Sequence, residues 1–191
     1  MSTICSMIQG CAAPDQFKVD TNKSKGFPPS QEMKVGILTF TAPAAGVSKY
    51  SPFGPEGKYI TPANAGVSVE VAVSYELMNV PNVILMEHSQ LEKIFNEHKL
   101  SLSGVANNPD YLLLGQILPV DALIFGNVTI FQIWHDMAGH GGIVAYSARL
   151  VNIHTSEVLF SINCNAVKRG GVPEKIVKDL SRDAIKKLLE K

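Results

Sequence analysis

The one dense group of side chains able to hold a metal or move a proton is His135-Asp136-Met137-Ala138-Gly139-His140. Two imidazoles and a carboxylate are a zinc-capable set, but this spacing within a glycine-rich turn matches no known ligand pattern, and no neighbouring group is placed to orient the rings. The turn therefore reads as a solvated hairpin tip, with adventitious metal binding or a pH-sensitive contact as the alternatives. The glycines at 139, 141 and 142 and at 170 and 171 form neither G-x-G-x-x-G nor G-K-[ST] between a strand and a helix, so no nucleotide site is indicated. There is no G-x-S-x-G elbow, and Cys164 has no base positioned near it in sequence. The expectation is a chain with no catalytic residue, no metal and no cofactor.

Cys5, Cys11 and Cys164 are too few and too scattered for a disulfide framework, and Cys164 reads as a buried strand residue. Cys11 has a different setting. Ile8-Gln9-Gly10-Cys11, followed by Ala12-Ala13, has the apolar-x-small-Cys order that a lipoprotein signal peptidase reads. Residues 1–10 lack a basic start and fall short of the roughly 15–30 residues of a full secretory signal, so they read as a partial lipoprotein signal, the alternative being an incidental cysteine. On the first reading Cys11 is a lipid anchor.

These groups must be carried by a chain of 191 residues, 46% apolar, with 17 basic and 17 acidic residues. That is enough for one domain with a core of its own. The balanced charge gives no indication of nucleic acid as a partner. The longest apolar runs, such as Val120 to Thr129, are shorter than the roughly 20 residues a membrane-crossing helix needs.

Residues 11–31 mix Asp15, Lys18, Asp20, Lys23, Pro28 and Pro29 with isolated Phe17, Val19 and Phe27, and read as a flexible tether. Fully stretched, Ala12 to Gln31 would span about 70 Å at ~3.5 Å per residue. The folded domain is expected over 32–191. It opens with a strand at Lys34 to Phe40, followed by a long loop, Thr41 to Asn64, whose aromatics Tyr50, Phe53 and Tyr59 either fold back on the core or face a partner. Val67 to Tyr75 alternates with period two and, read unaided, is a strand. Asn82 to Met86 is a strand, and Ser89-Gln90-Leu91-Glu92 has the form of a capping box opening a helix with Leu91, Ile94 and Phe95 on its inner face. A second helix runs from Asn107-Asn108-Pro109 to Leu118. Strands at Asp121–Trp134, Gly142–Asn152 and Glu157–Val167 form a meander, and a last helix starts at Pro173. Trp134 has two readings, a core or inter-subunit residue, or a membrane-interface residue at the rim of the sheet.

The stretch Val83 to Thr129, with Val151-Asn152-Ile153-His154-Thr155-Ser156-Glu157-Val158-Leu159, resembles the curli-export lipoprotein family over about Met33 to Lys168. The resemblance implies a helix rather than a strand before Asn82, and we take that reading for Val67 to Tyr75. The resulting order β-α-β-α-α-β-β-β-α is an α/β fold, a three-layer-type sandwich of a mixed or antiparallel sheet with flanking helices. Family members form homo-oligomeric rings anchored by a lipidated cysteine at the periplasmic face of the outer membrane. The resemblance thus implies Cys11 as anchor, a homo-oligomer, and secretion-system or cell-envelope proteins as partners. It also matches Tyr59 and Asn64 to a channel-constriction loop. The two long hairpins that close the family's transmembrane barrel are missing, since His135 to Gly141 is only a short turn and Lys168 to Val172 leads directly into the final helix. The expected function is a ring or collar assisting export or assembly of a secreted polymer, protein or polysaccharide. The alternative is a monomeric periplasmic binding module, such as an activator of peptidoglycan synthases.

Overall fold

The computed structural model describes residues 15–49, 57–86, 88–98, 111–136 and 139–190. In chain order the elements are β1 (Gln16–Lys23), β2 (Met33–Ile37), β3 (Gly46–Ser48), β4 (Lys58–Thr61), α1 (Ala65–Leu77), β5 (Val83–Leu85), α2 (His88–Glu97), α3 (Tyr111–Ile117), β6 (Ala122–Asp136), β7 (Gly139–Asn152), β8 (Val158–Arg169) and α4 (Pro173–Leu189). The strands form one sheet in the order β1-β8-β7-β6-β2-β5, with the β3–β4 hairpin added to β6. The β2–β5 and β2–β6 pairs are parallel and the others antiparallel, so the sheet is mixed.

The three layers follow from two apolar clusters on opposite faces. On one face, Val69, Val73 and Leu77 of α1 and Ile176, Leu180, Ala184 and Leu188 of α4 meet Val35, Ile124, Val144, Tyr146, Leu150 and Ile162 of the sheet. On the other, Leu91 and Phe95 of α2 and Leu114 of α3 cover Leu123, Phe125 and Val151. The meander is as the alternation predicts. The β7–β8 connection is held by Asn152 Oδ1, which accepts from the backbone N–H of His154 and Thr155 at 2.9 and 3.0 Å, an Asx-type turn. Cys164 is buried on β8, as read, and burial pushes its thiol up to about 11, which leaves it inert. Tyr146 Oη and Ser181 Oγ share a buried hydrogen bond of 2.7 Å beneath it.

Three expectations are corrected. Of the tether expected over 11–31, the described part from Asp15 onward is folded: Gln16 to Lys23 pairs in register with Phe160 to Val167 over eight residues, while 11–14 lie outside the described residues. Val19 is 7% exposed and Phe27 packs edge-on against Phe160 at 4.9 Å, so two of the isolated apolar residues of this polar stretch are core contacts, while Phe17 is 49% exposed. Lys23 Nζ donates to the carbonyls of Leu188 and Glu190, capping the negative end of α4, and Lys187 Nζ donates to Val19 O at 2.8 Å. The long loop, secondly, holds β3 and β4, and β4 extends the sheet beside the far half of β6. Thirdly, α2 already includes His88, so Ser89 lies inside the helix. Glu92 Oε1 approaches His88 Nε2 at 3.2 Å. His88 Nδ1 is also 3.3 Å from Glu70 Oε1, without hydrogen-bond alignment, and burial raises the Glu70 carboxyl above its ordinary value. The Asn107–Asp110 start of the second helix lies outside the described residues, as does the Met137-Ala138 tip.

Candidate functional site

Of the sequence-derived site residues, Tyr59 and Trp134 are brought together and Asn64 is not. Tyr59 on β4 stands opposite Trp134 on β6, and the two pack with Ile130 and Ile143 in a third apolar cluster. Tyr59 is 1% and Trp134 4% exposed, and the Arg169 guanidinium lies 5.3 Å from the Trp134 ring. Both are core residues of the subunit. The constriction reading of Tyr59 and the membrane-rim reading of Trp134 both call for an exposed ring, whereas here both rings are buried within the subunit. Asn64 is exposed at the start of α1, where its C=O accepts from Ser68 N at 2.9 Å and its Nδ2 donates to Ser68 Oγ at 3.3 Å.

His135 and His140 face each other across the β6–β7 pair with ring centroids 6.1 Å apart. Among the described residues no group of three or more His, Cys, Asp or Glu is arranged to hold a metal ion, and no helix is long and apolar enough to cross a membrane. Cys11 lies outside the described residues, but Asp15 is placed: its Oδ1 accepts from Arg169 N at 3.0 Å. The chain thus enters the fold at the end of the sheet that carries the β6–β7 hairpin. Exposed Lys58, Lys168 and Arg169 lie at the same end.

The surface that sequence reasoning missed is on α1. Its inner face carries Val69, Ala72, Val73 and Leu77, spaced as a helix requires. Its outer face carries Val67, Val71, Tyr75 and Met78, which are 52, 61, 54 and 61% exposed. The valine alternation that imitates a strand is thus two apolar stripes on opposite sides of a helix. A core-packing helix needs only one of them. The signal was available in the sequence as the i, i+4, i+8 set Val67, Val71, Tyr75. Lys178 of α4 borders the stripe, its Nζ 5.6 Å from the Tyr75 ring centroid. Ile84, 43% exposed on β5 at the sheet's edge, is a further exposed apolar residue.

Comparison with known proteins agrees with this architecture. The structure is similar to the PelC dodecamer from Paraburkholderia phytofirmans, with 12% identity and a TM-score of 0.56, over 92% of this chain and 99% of that one. It is also similar to lipoprotein GNA1162 from Neisseria meningitidis, with 13% identity and a TM-score of 0.58, over 82% of this chain and 97% of that one. At such identities the likeness is one of fold. No curated protein matches the sequence. Residues 17–171, which include all of β1 but its first residue, all the other strands and the start of the β8–α4 turn, match the family described as curli production assembly/transport component CsgG, and the chain belongs to that family.

Proposed function

We propose that the protein is a non-catalytic lipoprotein of the periplasmic face of the outer membrane. Its subunits associate through the outer face of α1 into a ring or collar that assists export or assembly of a secreted polymer. The observation that carries this reading is the four-residue apolar stripe Val67, Val71, Tyr75 and Met78. A contiguous exposed apolar stripe is a common mark of an interaction surface. Burying the exposed part of each of these side chains contributes roughly 1 kcal/mol, summed at every contact around a ring. A head-to-tail ring repeats one contact, so a single disruptive change acts on all of them. The family membership and the dodecameric PelC relative support a homo-oligomer.

Sedimentation velocity at micromolar concentration, with and without detergent, tests the assembly. The parent is expected to be oligomeric and Val71→Glu monomeric, with an unchanged circular-dichroism spectrum because residue 71 is on the solvent side. A parent that is monomeric in every condition overturns the ring and leaves the monomeric binding module as the better account.

The anchor has its own geometry. Cys11 precedes Asp15 by four residues, at most about 14 Å of extended chain. A lipid on Cys11 would hold the hairpin end of the sheet, with Lys58, Lys168, Arg169, His135 and His140, against the bilayer surface. Metabolic labelling with a palmitate analogue, in a chain supplied with a complete signal, should mark the parent and not Cys11→Ala. Equal labelling removes the membrane assignment.

A further inference from the structure

Among the described residues, the sheet face opposite α1 and α4 is covered by α2 and α3 only in part, and what they leave open is polar. Strand register puts Asn127, Ser147, Asn163 and Asp20 in one row across β6, β7, β8 and β1, and Phe125, Arg149, Ser161 and Asn22 in the next. These eight residues, with Thr41 as a wall, line an open cavity of about 610 Å³. That volume lies within the ~300–1,000 Å³ common for ligand sites.

The chemistry of this floor is specific. Phe125 is 5% exposed, with the Arg149 guanidinium carbon 5.5 Å from its ring centroid. The ring holds the planar guanidinium over the floor and is itself shielded from solvent. Thr41 Oγ1 donates to Asn127 Oδ1 at 2.8 Å, which leaves the Asn127 NH₂ as a donor. Asp20 holds Lys18 at 2.9 Å through one carboxylate oxygen. The remaining amides and hydroxyls of Asn22, Asn163, Ser147 and Ser161 both donate and accept. With Lys18 and Arg149 against Asp20 the floor carries one net positive charge, too little for the many phosphate- or carboxylate-type contacts by which a polyanion is held. It also lacks the apolar centre of a protein–protein interface.

We infer that this sheet face is a binding site for a neutral, hydroxyl-rich oligosaccharide lying across the strands. Vicinal hydroxyls match the paired donors of Arg149 and the paired acceptors of Asp20, and amide side chains suit single hydroxyls. Neighbouring strands are ~4.8 Å apart, close to the advance of one pyranose along a glycan, so the four-strand row accommodates roughly three to four sugar units. The site lies on a different face from the α1 stripe and stands whether or not the subunits assemble.

Calorimetric titration of the full chain with maltohexaose, cellohexaose and fully N-acetylated chitohexaose tests it, with oligogalacturonate and deacetylated chitohexaose as charged comparators. At least one neutral hexamer should bind saturably at millimolar concentration. Arg149→Ala and Asn163→Ala, both at exposed positions, should each weaken binding about tenfold, with circular dichroism to show that each variant is folded. Asp179→Asn on α4 should have no effect. No saturable heat with any neutral hexamer, binding only to the charged comparators, or affinity unchanged in both site variants would overturn the proposal.

Discussion

Gly126→Ala is expected to lower the stability of the fold by about 2 kcal/mol although it adds only one methyl group. A Cβ at residue 126 would sit 2.1 Å from Phe40 Cδ2 and 2.2 Å from Cε2, far inside contact distance. The ring cannot simply move aside. Phe40 is 2% exposed in the main cluster. The chain is also tied down just beyond it, where Thr41 N donates to Gly126 O at 3.1 Å and Val128 N to Thr41 O at 2.7 Å. The entropy that glycine loses on folding returns about 0.4–1 kcal/mol to the alanine variant, too little to offset the clash. Phe40→Ala alone should cost about 3–5 kcal/mol, but there the new methyl group enters vacated space. The double variant should therefore be more stable than the sum of the two single changes by about 2 kcal/mol, a coupling readable from urea midpoints. Additive effects would mean that Gly126 and Phe40 do not share this space. Because Thr41 and Gly126 also border the polar floor, the Gly126→Ala variant should lose oligosaccharide binding along with stability.

How much of this was legible in the sequence differs by element for physical reasons. The meander and the final helix are long segments with a strong period, and one side of each is buried, so the pattern and the burial agree. Val67 to Tyr75 failed as an unaided reading because two helical stripes, offset by two residues, reproduce the alternation of a strand. Only the family resemblance gave the helix. Tyr59 and Trp134 were singled out as aromatic residues in loop-like or terminal positions. Their burial depends on pairing between β4 and β6, which are separated by the whole of α1, β5, α2 and α3. Local composition does not report such a pairing. The polar floor is harder still. Asp20, Asn127, Ser147, Arg149 and Asn163 are unremarkable one at a time, and become a site only when the register of four strands brings them into adjacent rows.

The same limit explains the misread N-terminus, and it yields the largest expected effect. If residues 11–31 were a tether, removing residues 1–23 would be no more harmful than removing 1–14. The structure makes the two truncations very different. Loss of β1 removes an eight-residue antiparallel ladder from β8, the buried Val19 side chain, and the Lys23 contacts with the last carbonyls of α4. Each net backbone hydrogen bond contributes about 1 kcal/mol and Val19 about 1.5 kcal/mol or more, partly offset by the entropy of the released strand. A net loss on the order of 4 kcal/mol is expected, a large share of a domain's ~5–15 kcal/mol. It would also bare the long edge of β8, inviting association through unpaired strand groups. Urea unfolding of the two truncated chains, with light scattering, measures both consequences. The chain lacking 1–14 should match the parent, while the chain lacking 1–23 should unfold at much lower urea and scatter on standing. Equal midpoints would restore the tether and a reach of about 70 Å. Unequal midpoints would leave at most about 14 Å of chain between Cys11 and the folded sheet. A lipidated protein with so short a leash works at the membrane surface, which favours a collar around an export path over a module that crosses the periplasm.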